Sequence, residues 1–223
     1  MNTVLPPQII CHELPCFRTD EPDAVRLAFR GSPALALRQT WRHKEEASFA
    51  PANVRIGWRG ESLLVFAELE DEDIFTGATG HNQRFWELGD TFEMFLRPVE
   101  QEAYFELHVS PNNQRLQLRF AGAAIAERLR KAGAVEEALV WGEIFHSKTW
   151  VQPEKRRWLV FAEVPAKSVC EKGPTLNGAR WQFSFSRYDC ARGRKKPVIS
   201  STSAHAKPDF HRQNEWGTMS FQP

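Results

Sequence analysis

Apolar and polar positions alternate with a period of two along most of the chain. Val54, Ile56 and Trp58 alternate with Arg55, Gly57 and Arg59. After Gly60 the alternation resumes through Leu63, Val65, Ala67 and Leu69. Two such runs around a glycine turn predict a β-hairpin. Phe92, Met94 and Leu96, then Phe105, Leu107 and Val109, then Leu116, Leu118 and Phe120 continue the pattern, with Pro111-Asn112-Asn113 as a turn. This reads as a meander of half-buried strands. A hairpin over Phe145–Val151 and Trp158–Val164, a long strand through Trp181, Phe183 and Phe185, and short strands near Val198–Ser200 and Gly217–Phe221 complete it. Helical spacing is rare. Ile125, Leu129 and Ala132 predict one short helix ended by Gly133, and Ala166–Cys170 another turn of helix. Val135–Trp141 fits neither period. Before Trp41 the pattern weakens to strands around Val25–Phe29 and Ala34–Leu37.

Many strands joined by turns predict an all-β, antiparallel β-sandwich with one or two short helices. No repeat or low-complexity linker divides the chain, so residues 1–223 are expected to form one domain, with 1–40 as its least regular part.

If the apolar parity of every strand faces the core, the other parity shares the outer side of a sheet. It collects Glu68, Glu93, Tyr104, Glu106, His108, Arg115, Gln117, Arg119, Ser184, Ser186 and Tyr188. Such a face can hydrogen-bond a polyhydroxylated ligand. It is equally what a solvated face laced with cross-strand ion pairs looks like. Two loops add aromatic rings: His81-Asn82-Gln83-Arg84-Phe85-Trp86, and Asp209-Phe210-His211-Arg212. Two such loops can sandwich a sugar ring, whose C–H face packs on an aromatic plane. A Trp86 that caps the core edge, and a His211 that only ties down its loop, are the competing readings.

Composition narrows the partners. With 29 Lys and Arg against 28 Asp and Glu, the formal net charge is +1, which argues against a nucleic-acid binder. The basic run Arg192, Arg194, Lys195 and Lys196 reads as a solvated hairpin tip. No run approaches the roughly 20 apolar residues that span a bilayer. The start has no basic and apolar leader pattern, so a cytoplasmic location is the default expectation unless a leader was removed. Cys11 and Cys16 lack zinc spacing, and with Cys170 and Cys190 they are expected as free thiols. The chain has 8 Trp and 16 Phe. Trp58, Phe92, Phe105, Phe120, Trp181, Phe183 and Phe185 take core parity, which leaves Trp86, Phe210 and Tyr188 for recognition.

Several stretches, in order, resemble the family 9 carbohydrate-binding module and the wider DOMON-like, immunoglobulin-like sandwiches. They are Val54-Arg55-Ile56-Gly57-Trp58, Leu64-Val65-Phe66-Ala67, Asp71-Glu72-Asp73, Trp86 to Phe95, Phe105 to Pro111, Arg187-Tyr188-Asp189, Ile199-Ser200, and Pro208 to Arg212 closing on Trp216-Gly217. The resemblance implies a sugar held between two aromatic positions, here Trp86 and Phe210. A family carboxylate position falls on Glu93, an arginine position on Glu106 and a glutamine position on Ser186. His108, Tyr188, Arg84, His211 and Arg212 complete the expected ligand-binding set. The family often carries structural calcium, for which Asp71 and Asp73 could supply oxygens; no other cofactor is expected.

The leading expectation is therefore a non-catalytic sugar-binding domain. One alternative is glycoside hydrolysis by Glu93 and Glu106 as paired carboxylates. Another is haem binding, as in some DOMON-like relatives, through Met94 and His108, although these sit on opposite parities.

Overall fold

A computed structural model describes residues 5–173 and 175–223. Met1–Val4, part of the start read for a leader, lie outside the described residues. The strands are β1 (Gln8–His12), β2 (Leu35–Ala36), β3 (Ala52–Arg59), β4 (Ser62–Glu70), β5 (Thr91–Pro98), β6 (Tyr104–Val109), β7 (Arg115–Phe120), β8 (His146–Gln152), β9 (Arg157–Pro165), β10 (Arg180–Asp189), β11 (Val198–Ser201) and β12 (Gly217–Gln222). The helices are α1 (Pro22–Ala28), α2 (Phe85–Leu88), α3 (Ala123–Ala132) and α4 (Ala166–Val169), more than the one or two expected.

Two sheets pack face to face, so the fold is an all-β sandwich. One runs β1-β12-β10-β5-β6-β7 with β11 added beside β10; the other runs β2-β3-β4-β9-β8. Pairing is antiparallel except where β1 lies parallel to β12. The core between the sheets takes the expected parity of β3, β4, β5, β6, β9 and β10, including Trp58, Phe92, Phe105, Trp158, Trp181, Phe183 and Phe185.

Both outer faces are covered as well. The reason is visible in β4 and β9, which read Leu-Leu-Val-Phe-Ala and Trp-Leu-Val-Phe-Ala without alternation. A strand apolar on both sides must bury both. The second side of these strands, Leu64, Phe66, Leu159 and Phe161, packs under Val25 and Phe29. Val25 lies on α1 and Phe29 caps its C-terminal end, where a strand was expected. Val25 and Phe29 are four apart, on one helix face, and Pro22 at the first turn sets the helical φ. Glu68 accordingly points to this face and meets Arg26 at 3.0 Å and Arg157 at 3.6 Å, away from the expected polar face.

The other outer face is the concave side of the seven-stranded sheet. Here β7 is inverted relative to expectation. The turn after Val109 pairs His108 with Leu116, Glu106 with Leu118 and Tyr104 with Phe120. Cross-strand partners share a face, so Leu116, Leu118 and Phe120 join Phe95, Tyr104, Phe210 and Trp216 in a separate cluster on this side. Arg115, Gln117 and Arg119 turn the other way. Gln117 hydrogen-bonds the backbone of the 139–145 loop at Gly142 and Ile144, Arg115 meets Glu143 and Arg119 meets Glu171, each at 2.5 Å. β7 is an edge strand, and its inner face therefore serves a loop instead of the inter-sheet core.

Candidate functional site

β5, β6 and β10 lie side by side and form the floor of a cavity on the concave face. Three segments wall it. α2 carries Trp86 up one side, and its position is fixed by Gly89, whose φ of 147° and close approach to the Phe75 carbonyl leave no room for a Cβ. α3 brings Arg130 to the wall next to α2, and the chain past Gly133, at φ 67°, adds Val135. The loop 205–216 supplies Pro208, Asp209, Phe210 and His211. Glu215 pins that loop, accepting hydrogen bonds from His205 at 3.1 Å and from Arg212 at 2.8 and 2.6 Å, while the Trp216 indole N–H donates to the Phe210 carbonyl at 2.7 Å.

The cavity has a volume of about 260 Å³ and is lined by Arg84, Trp86, Glu93, Glu106, Tyr188, Phe210 and His211, together with Phe95, Leu118, Phe120, Arg130 and Asp209. Seven of the expected site residues thus meet in one space. Three do not line it. His108 is fully buried behind Trp86, with ring centroids 5.5 Å apart. Ser186 bonds Ser201 at 3.2 Å within a cluster of serines. Arg212 is spent on Glu215. The sequence reading gave no site role to Phe95, Leu118, Phe120, Arg130 or Asp209. Asp209 adjoins Phe210 in the aromatic loop, whereas Arg130 carries no signal beyond a basic helix.

The two rings differ. Trp86 is half-buried, but Phe210 is only 5% exposed. Phe210 packs among Trp41, Phe95, Tyr188 and His205 at centroid distances of 5.9–6.3 Å. Phe210 closes the cavity largely as part of the apolar cluster, and Trp86 offers the freer face.

A chain of buried titratable groups crosses the floor. The Nε2 of His108 is 2.7 Å from Glu106 Oε1 and its Nδ1 is 3.4 Å from Glu93. Glu106 Oε2 is 3.5 Å from His211 Nε2, and His211 Nδ1 shares a hydrogen bond with the Tyr104 hydroxyl at 2.7 Å. Burial pushes the Glu93 carboxyl up to about 8, with the charge on Glu106 adding to it and His108 opposing. Burial would raise Glu106 too, but His211 and His108 outweigh it and hold that carboxyl below its ordinary value. Burial lowers His211 to about 4. Burial works against charge on His108, yet the flanking Glu93 and Glu106 raise it.

The expected metal and haem ligands are arranged differently. Asp71 and Asp73 diverge: Asp71 accepts from the buried Arg187 at 3.0 Å, and Asp73 meets Arg192 near the surface. Asp71 instead converges with Asp90 and Asp189. A fully buried guanidinium already stands among them, with Nε and Nη1 lacking acceptors. Unanswered N–H donors call for an anion or water, so this set does not fit calcium. Met94 lies in the inter-sheet core and His108 on the opposite face of the sheet, so the two cannot ligate one iron. All four cysteines are free; Cys16 is exposed and Cys11 buried. No helix among the described residues is long and apolar enough to cross a membrane.

The sequence profile of carbohydrate-binding family 9 matches residues 37–221. The chain belongs to that family. The family 9 module is a non-catalytic carbohydrate-binding domain. No curated protein matches the chain in sequence. Among solved structures, it is similar to a proposed carbohydrate-binding protein from Bacteroides uniformis, at 18% identity and a TM-score of 0.74, over 97% of this chain and 99% of that one. It is also similar to a family 9 module from Caldicellulosiruptor kristjanssonii solved with cellotriose, at 15% identity and a TM-score of 0.63, over 96% and 93%. The glucose complex of a family 9 module from the same organism gives 14% identity and a TM-score of 0.62, over 96% and 94%. At these identities the structures speak for the fold.

Proposed function

We propose that the concave cavity is the sugar-binding site, and that it takes one terminal sugar ring. The observation that carries this is the meeting of Trp86, Tyr188 and Phe210 with Glu93 and Glu106 in one space. Aromatic faces supply apolar contact, and carboxylates that accept hydrogen bonds orient hydroxyl groups. At about 260 Å³ the cavity lies at the small end of ligand pockets, which suits a single ring. Trp86 is the principal stacking surface. Phe210 gives an edge to the ligand and its bulk to the cluster behind.

The pair Glu93 and Glu106 binds without catalysing. The family that the chain matches is one of non-catalytic binding modules, and Glu106 is engaged by His108 on one oxygen and faces His211 with the other. The DOMON-like kinship is retained for the shared architecture of a sandwich with a ligand site on one sheet. Calorimetry with a panel of mono- and disaccharides tests the function. Binding should appear with at least one of them and weaken about tenfold or more in Trp86→Ala. Silence across the panel, or an unaltered affinity in the variant, removes the assignment.

A further inference from the structure

We propose that the sugar preferred by this cavity carries a free amino group, whose ammonium sits between Glu93 and Glu106; the inference rests on the carbohydrate-binding function proposed above. It begins from what the floor of the cavity lacks. Glu93 is 2% exposed and lines the cavity. No described residue hydrogen-bonds to its carboxylate, and its ion-pair neighbour His108 stands off at 3.4 Å. Glu106 Oε2 is buried and also without a hydrogen bond. A buried carboxylate without donors costs free energy, and more so when a second lies close by. The nearest carboxylate oxygens of Glu93 and Glu106 and a ring nitrogen of His108 all lie within 4.8 Å of one another.

The protein's own cations do not supply what is missing. Arg84 is held by Glu136 at 2.6 Å and by the Gly133 carbonyl at 2.7 Å. Arg130 is held by Asp209 at 3.1 Å. Both guanidinia stay on the walls. His108 is one imidazole shared between two carboxylates. His211 faces the Glu106 side of the pair, with its Nε2 3.5 Å from Oε2. A neutral sugar would answer the free lone pairs with hydroxyl donors but bring no counter-charge to the second carboxylate when Glu93 ionises beside Glu106. An ammonium brings three N–H donors and a positive charge to the same point. The walls agree with this, because Trp86, Phe95, Tyr188 and Phe210 surround the carboxylates with π faces and edges, and π faces attract a desolvated cation.

The test is a paired titration of the full chain by calorimetry. Glucosamine, galactosamine and mannosamine are each compared with the neutral parent sugar and with the N-acetyl derivative, at neutral pH, with and without a chelator. At least one amino sugar should bind about tenfold or more tighter than both its parent and its N-acetyl form. Glu93→Gln, which keeps the shape and removes the charge, should bring amine and parent to within about twofold of each other. The amine and N-acetyl contrast in the unaltered protein stands even where that variant fails to fold. Parents that bind as well as their amines in every pair overturn the inference and leave the carbohydrate assignment intact. A preference that vanishes with the chelator also overturns it, because a metal ion then occupies the carboxylates. No binding by any sugar removes the assignment beneath it.

Discussion

Among the described residues two buried carboxylate clusters stand out, and they are built to opposite specifications. In the first, Asp71 follows β4, Asp90 precedes β5 and Asp189 ends β10. The Asp71 oxygens accept from the Asp73 N–H at 2.9 Å and from Arg187 at 3.0 Å. The Asp90 oxygens accept from the backbone N–H groups of Cys190 and Phe75 at 2.8 and 2.7 Å. Asp189 stands 3.5 Å from Arg187. The chain answers its own charges there, and strands from both sheets are tied together by the answer. In the second cluster, Glu93 has an imidazole at arm's length and an open cavity in front. Saturated lone pairs mark a structural tie, and unsaturated ones beside a cavity mark a place kept for a ligand.

The difference predicts where each cluster fails. Arg187→Ala should cost the most, about 3–5 kcal/mol of folding stability, because it strands buried carboxylates without their counter-ion. Chemical denaturation reads this directly. A loss below about 1 kcal/mol would mean that the first cluster is as open as the second and would break the comparison. Glu93→Gln should behave in the opposite way. It removes a buried carboxyl whose ionisation opposes folding, so at neutral pH stability should hold or rise while ligand affinity falls.

The aromatic walls sharpen the same contrast. Phe210→Ala should cost about 3–5 kcal/mol of stability as a cavity-forming change in a buried cluster. Trp86→Ala, at a half-buried ring, should cost much less stability but most of the sugar affinity, about 1.4 kcal/mol or more in binding. Equal losses of stability in the two variants would place Trp86 in the scaffold with Phe210.

Much of this was legible in the residues. Period-two alternation located the core strands because each of β3, β5 and β6 pairs an apolar parity with a polar or mixed one. It misread what depends on neighbours. The inversion of β7 is set by the turn from Ser110 to Gln114 and by the edge position of the strand. Neither appears in the alternation of Leu116, Leu118 and Phe120, which is regular whichever way the strand faces. α1 was missed because Val25 and Phe29 suit a strand as well as a helix face. β1 carries no alternation at all in Gln-Ile-Ile-Cys-His. For the site, the paired loops and the floor carboxylates were visible. The burial that separates Phe210 from Trp86 depends on the loop 205–216 folding down, and Ser186 is taken by Ser201 of β11; no local pattern encodes either.

The smallest expected effect is a slope. The Glu93 carboxyl rises from an ordinary 4.5 to about 8 in the folded chain. The folded state therefore holds a proton that the unfolded state releases. Stability from this source is complete below about 4.5 and is lost as pH rises toward about 8. Asp90 is raised to about 8 as well, by burial and by Asp71, so the unaltered protein carries both contributions. Glu93→Gln removes one of them. The melting temperature of the variant should fall less steeply than that of the unaltered protein across this range, and the two curves should diverge upward in pH. A saturating ligand should also flatten the slope if its donors stabilise the ionised carboxylate. Parallel curves would show Glu93 ionised throughout, already answered by His108, and the floor of the cavity would then be as closed as the Asp71 cluster.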